Sequence, residues 1–169
     1  MLYFAYGSNI NADHLNEYLH THGVKLDTEL QPEHAILPNY RLRTNYFAGS
    51  HCAGACNVEY APGYNHVEGV VITITPAIQA ALRLKEGYPR CYEEIEVNVG
   101  TASAQAPVQA LTYIVAAAHQ LEDDLPVTAR YRSLILTGAK HFEFTKSYQK
   151  MLQNKLQIAP TLRAIPIQD

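Results

Sequence analysis

Short apolar runs separated by glycine, proline and polar breaks dominate the first two thirds of the chain, whereas the last third shows apolar residues at helical spacing. The pattern therefore predicts mostly strands first and helices last. Residues 2–6 form an apolar and aromatic run ended by Gly7-Ser8-Asn9, a strand entering a turn. A helix should follow, with Asn11 as its N-cap, Asp13 at the positive end of its dipole, and Leu15, Tyr18 and Leu19 as its apolar stripe before Gly23. Strand-like residues occupy 35–48 and 55–60, on either side of the small, polar Gly49-Ser50-His51. After the turn Ala61-Pro62-Gly63, residues 66–75 carry Val67, Val70, Val71, Ile72 and Ile74, a β-branched segment fit for a central strand.

Pro76 opens the next predicted helix, which Ile78, Ala81, Leu82 and Lys85 continue to Gly87. Residues 92–99 alternate, with Ile95, Val97 and Val99 on one face, and 108–116 read as a further strand beyond a hairpin loop over 100–107. Beyond Asp123-Asp124, the residues Tyr131, Leu134, Ile135 and Gly138 predict a helix with a glycine stop, and 142–156 a second, more amphipathic one. No repeat, low-complexity tract or linker divides the chain, so one domain over residues 1–169 is expected.

Composition narrows the classes of function. Hydrophobic residues make up 47% and charged residues 17%, a globular balance. The formal net charge of -3 lacks the basic excess that favours a phosphate backbone or an anionic membrane, which argues against nucleic-acid and membrane partners. The start MLYFAYGSN has neither the basic nor the extended apolar region of a leader, and no apolar run reaches bilayer length, so a cytoplasmic location is expected. Cys52, Cys56 and Cys91 are an odd set in a chain of this size, and reduced thiols fit best. The oligomeric state is not fixed by the pattern, and a homodimer stays open.

Several residues could do chemistry. Gly7 permits close backbone approach, and amides entering a helix point toward an anion; the plain alternative is a tight connection in which Ser8 and Asn9 satisfy nearby backbone groups. Glu86 ends a predicted helix, where the dipole disfavours negative charge, and partial desolvation there would raise its pKa toward that of a general base. A solvated surface glutamate is the competing reading, and Glu59, Glu68, Glu93, Glu94 and Glu96 are rivals. His51, Cys52 and Cys56 lack a second ligand pair, and the eight histidines form no HExxH motif, so no metal is expected. Cys91 would need a histidine partner to act as a nucleophile, and none is marked locally.

The segment Tyr3-Phe4-Ala5-Tyr6-Gly7-Ser8-Asn9-Ile10 resembles the N-terminal signature of the γ-glutamylcyclotransferase-like, or AIG2-like, family. The resemblance continues through Gly54-Ala55-Cys56-Asn57-Val58, Pro62-Gly63, Val67-Glu68-Gly69-Val70-Val71, Lys85-Glu86-Gly87-Tyr88, Tyr92 and the stretch from Tyr131 to Ala139, in the family's order. It implies an α+β fold, a mixed β-barrel flanked by helices, with the substrate cavity at the barrel rim beside the glycine turn. It also implies that Glu86 is the acid/base, that Tyr3, Phe4, Ala5, Tyr6, Gly7, Ser8 and Asn9 form the substrate-binding segment, and that Tyr92, Tyr113 and Tyr131 line the pocket.

The chemistry so implied is conversion of a γ-glutamyl amino acid or γ-glutamylamine to 5-oxoproline and a free amine. The substrate's own α-amine attacks its γ-carbonyl, which needs proximity and a base but no cofactor. Phe144-Thr145 stands where many members have Leu-Pro, a departure that bears on the outer pocket and the leaving group. The alternatives are a γ-glutamylamine-specific cyclotransferase, a noncatalytic module binding a small acidic metabolite, and an acyl hydrolase built on Cys91.

Overall fold

The computed structural model describes residues 1–26, 32–50, 52–63 and 66–158. In chain order they form β1 (Leu2–Ala5), a 3₁₀ turn (Ser8–Ile10), α1 (Ala12–Thr21), β2 (Glu33–Pro38), β3 (Tyr40–Ala48), β4 (Ala53–Tyr60) and β5 (His66–Thr73). Then come α2 (Pro76–Glu86), β6 (Tyr92–Thr101), β7 (Val108–Val115), a second 3₁₀ turn (Ala117–His119), α3 (Ala129–His141) and α4 (Lys146–Lys155). Five strands close a barrel in the order β1-β5-β2-β6-β7, while β3 and β4 pair as a separate ribbon. The barrel pairings are antiparallel except at its closure, where β1 meets β7 in parallel with Tyr3 opposite Leu111. The α+β reading and the mixed barrel are thus both present.

The predicted helix starts at Asn11 and Pro76 hold at the atomic level. Asn11 accepts the His14 amide at 3.0 Å, and Thr75 accepts that of Ile78 ahead of Pro76, so each side chain satisfies an amide left free by the first helical turn. Thr128 and Thr145 cap α3 and α4 in the same way. Other boundaries differ from the pattern, and Gly138, expected as the stop of α3, lies inside that helix, which continues to His141. The run 35–48 is two strands, because Asn39 takes a left-handed conformation with φ of 61°, which asparagine tolerates better than most residues. The second C-terminal helix starts at Lys146 and not at 142, since Glu143 is also left-handed (φ 52°) and Thr145 supplies the cap.

Phe4, Val67, Val70 and Val99 from the barrel join Leu15, Leu19, Ile78, Leu82, Ile135 and Leu152 from the helices in one buried cluster. The ribbon is held to the barrel by Asn57, which is fully buried: its Nδ2 donates to Asn45 Oδ1 at 3.1 Å and its Oδ1 accepts the Val115 amide at 2.9 Å. A buried amide satisfied in this way fixes the ribbon's register against β7, because any slip would leave polar groups unpaired. Among the described residues no helix is long and apolar enough to cross a membrane.

Candidate active site

Elements far apart in sequence meet around a cavity of about 40 Å³. It is lined by Tyr3 of β1, by Tyr6, Gly7, Ser8 and Asn9 of the following turn, by Cys56 of β4, by Glu86 at the end of α2, and by Tyr92, Tyr113 and Tyr131 of β6, β7 and α3. Phe4 and Ala5 are not in this lining. A strand alternates its side chains, so Phe4 turns away from the direction of Tyr3, and its ring together with the Ala5 carbonyl packs against Gly69. Both residues are fully buried.

Glu86 is the last residue of α2, which Gly87 terminates in the left-handed conformation (φ 65°) that glycine adopts without strain. Its Oε1 accepts a hydrogen bond from Asn9 Nδ2 at 2.9 Å, and the same Nδ2 donates to Tyr3 Oη at 2.9 Å. Burial pushes the Glu86 pKa up, and the Lys85 ammonium and the Asn9 bond hold it back in part. The carboxylate is enclosed by protein yet keeps a face open to the cavity. Because Nδ2 faces the carboxylate, the orientation of the Asn9 amide is settled by charge, and its Oδ1 is left buried with no hydrogen-bond partner among the described residues.

Hydroxyl groups hold the remaining walls. Tyr6 Oη donates to the Tyr113 carbonyl at 2.5 Å, Tyr92 Oη donates to the Cys56 carbonyl at 3.0 Å, and Tyr131 Oη accepts the Cys56 amide at 3.0 Å. Burial drives the Tyr3, Tyr6, Tyr92 and Tyr131 phenols upward, so all four stay neutral around the single carboxylate. Gly7 has a negative φ, and the requirement there is space: a Cβ would lie 3.1 Å from Tyr131 Oη.

The rival glutamates are engaged elsewhere. Glu59 is held low by Arg41 and Arg43, and Glu68 accepts the Thr145 amide at the α4 cap. Arg83, Tyr113 and Gln79 hold Glu94 low against the upward push of burial, Glu96 accepts from Gln109, and Glu93 is exposed. Burial pushes the Cys56 thiol up to about 12, which keeps it protonated and unsuited to nucleophilic attack. Cys52 is exposed, His51 lies outside the described residues, and no metal-ligand cluster occurs among those described.

A groove of about 590 Å³ shares Ser8, Glu86, Tyr92 and Tyr131 with the cavity and adds His14, Tyr18, Lys85, Cys91 and Arg130, among others. Sequence reasoning did not bring this outer set together: Cys91 was weighed alone as a nucleophile, and only Lys85 carried a local signal, as the neighbour of Glu86. Phe144 and Thr145 line neither space. Phe144 stacks on His34 at 4.9 Å between ring centres, and Thr145 caps α4, so this departure falls on the α3–α4 junction and not on the outer pocket. A larger groove of about 1040 Å³ lies between the ribbon and α4. Its Asp124 is pushed up by burial but held down to about 2 by Lys155 and Arg43, which makes it a partner in ion pairs and no proton acceptor at neutral pH.

At the rim of the barrel a largely enclosed carboxylate, an amide-anchored turn and neutral tyrosines thus surround one small cavity. The sequence matches the family described as Gamma-glutamyl cyclotransferase, AIG2-like, over residues 3–133, and the chain belongs to that family. A solved structure named Gamma-glutamyl cyclotransferase is similar with a TM-score of 0.76 and 21% identity, over 100% of this chain and 94% of that one. An uncharacterized protein from Homo sapiens gives a TM-score of 0.75 and 22% identity, covering 99% and 93% of the two chains. A γ-glutamyl cyclotransferase specific to glutathione, from yeast, gives 0.61 and 12%, over 92% and 95%. At these identities the likeness to solved structures is one of fold. No curated protein matches the sequence significantly.

Proposed function

We propose that the protein is a γ-glutamyl cyclotransferase in which Glu86 is the general acid/base. The observation that carries this reading is the Glu86 carboxylate itself, desolvated in the cavity and fixed by Asn9. With the γ-glutamyl group curled in the cavity, the α-amine nitrogen attacks the γ-carbonyl carbon, a five-membered ring closes, and the amide C–N bond breaks. Holding the chain in that shape supplies the proximity of an intramolecular reaction.

From the protonated amine, two protons have to leave the attacking nitrogen and two have to reach the leaving one, which departs as an ammonium. A free α-amine has a pKa of about 8 and is largely protonated near neutrality, so a base of raised pKa is needed. Glu86 takes the first proton to free the nucleophile and the second after attack, passing each in turn to the leaving nitrogen, with no net redox change and no cofactor. The developing oxyanion is stabilised by the first amides of the 3₁₀ turn after Gly7, which have no acceptor within that turn. Family membership and the names of two structures of the same fold support the same chemistry.

The test is to incubate the purified protein with γ-glutamyl dipeptides and γ-glutamylamines in oxygen-labelled water and to analyse the products by mass spectrometry. Unlabelled 5-oxoproline with free amine is expected. Labelled glutamate would show hydrolysis instead, and binding without turnover would make the protein a binding module.

A further inference from the structure

Beyond Glu86 the outer groove carries charge that the cyclisation does not use. Lys85 Nζ lies 3.3 Å from His14 Nε2 and 4.8 Å from the centre of the Tyr18 ring, and among the described residues it forms no ion pair. Arg130 lines the same groove, is exposed, and likewise has no ion pair among the described residues. The other basic residue in the last turn of α2, Arg83, is spent on Glu94 through bonds of 2.9 and 2.5 Å. Lys85 is therefore not needed for that contact and is directed over Tyr18 into the groove.

The other titratable groups facing Lys85 are Glu86, which favours its charge, and His14, with Glu17 acting on His14 from α1. Burial, Lys85 and Arg130 lower the His14 pKa, so the ring is a neutral acceptor that orients the ammonium and does not neutralise it. Burial also pushes the Lys85 pKa down, the sign of a cation held out of water without a full counter-charge. An anion placed in the groove would supply the missing counter-charge and offset that desolvation, and would meet Arg130 as well.

We infer that Lys85 and Arg130 form a carboxylate-binding subsite for the leaving half of the substrate. Resting on the cyclotransferase reading, this assigns the preferred substrates as γ-glutamyl α-amino acids, whose departing amine carries a carboxylate one carbon away, over γ-glutamylamines that carry none. Lys85 is here a specificity-determining residue and takes no part in proton transfer.

The experiment compares γ-glutamyl-alanine with γ-glutamyl-alaninamide, which differ in charge and hardly in size. The wild type should favour the acid in kcat/KM by roughly tenfold or more, the scale of a partly desolvated charge-assisted contact, chiefly through KM. Lys85→Met should bring that ratio toward one, and Arg130→Ala should lower it. Added salt should raise KM for the acid and leave that of the amide unchanged, a readout on the wild type that stands even if a variant fails to fold. Equal use of both substrates by the wild type would overturn the subsite while leaving the cyclotransferase intact. So would a Lys85→Met variant that loses both activities in equal proportion with the ratio kept, since Lys85 would then act on Glu86. Absence of 5-oxoproline from either substrate would overturn the cyclotransferase reading and the subsite with it.

Discussion

At the end of α2 the last carbonyls carry the negative end of the helix dipole, and Glu86 adds a carboxylate in the same place. That placement is unfavourable for folding. In the unfolded chain the group releases its proton near 4.5, and in the folded chain burial moves that release to higher pH. Between the two values the folded state holds more protons than the unfolded one, so stability falls as pH rises through that window, and the whole penalty is present above it. Glu86→Gln keeps the Asn9 contact and removes the charge. The variant should melt at a higher temperature than wild type at neutral pH, with the difference closing as pH falls to about 4.5, as read by thermal denaturation across pH. Equal melting temperatures throughout would mean that the carboxylate is not desolvated. A predicted helix end marked this residue in the sequence, but its own pattern could not exclude the five rival glutamates on predicted strands. What separates them is the partner each meets in space: arginines for Glu59 and Glu94, a helix cap for Glu68, and a cavity for Glu86.

The turn that carries Ser8 and Asn9 packs against α3, where Gly138 faces Ile10. A Cβ at that position would lie 2.6 Å from Ile10 Cγ1 and 2.8 Å from the Ile10 carbonyl oxygen, with no flexible side chain able to yield on the backbone side. Gly138→Val should therefore destabilise the protein by about 1–3 kcal/mol or more, through overpacking at a buried contact. Urea titration followed by circular dichroism measures it, and an unchanged midpoint would remove this packing from the fold. Elements of this kind were legible where the signal was local. Asn11, Pro76 and Gly87 marked helix ends correctly because a cap is chosen by the residues beside it. The break at Asn39 was not legible, since a single left-handed asparagine inside a long strand-like run leaves the alternation almost undisturbed.

Across the whole molecule, the closure of the barrel depends on pairings that no local pattern encodes: β2 lies between β5 and β6, and β1 meets β7 in parallel. Resemblance to a family supplied the barrel and most of the site, and composition alone would have left an α+β chain with several candidate glutamates. Even that resemblance carried Phe4 and Ala5 into the binding segment, although neither lines the cavity, and it left out the groove of His14, Lys85 and Arg130, whose members are joined only by the fold. The cavity depends on the closed barrel, because Tyr3, Glu86 and Tyr113 reach it from β1, α2 and β7 together. The most direct test is turnover and substrate affinity of wild type and Glu86→Gln, with circular dichroism to establish folding. Release of 5-oxoproline should fall by about a hundredfold to ten-thousandfold in the variant, the usual contribution of a general acid/base, while affinity changes far less. A folded Glu86→Gln protein with near-normal turnover would contradict the assignment of Glu86 as the proton-transfer group.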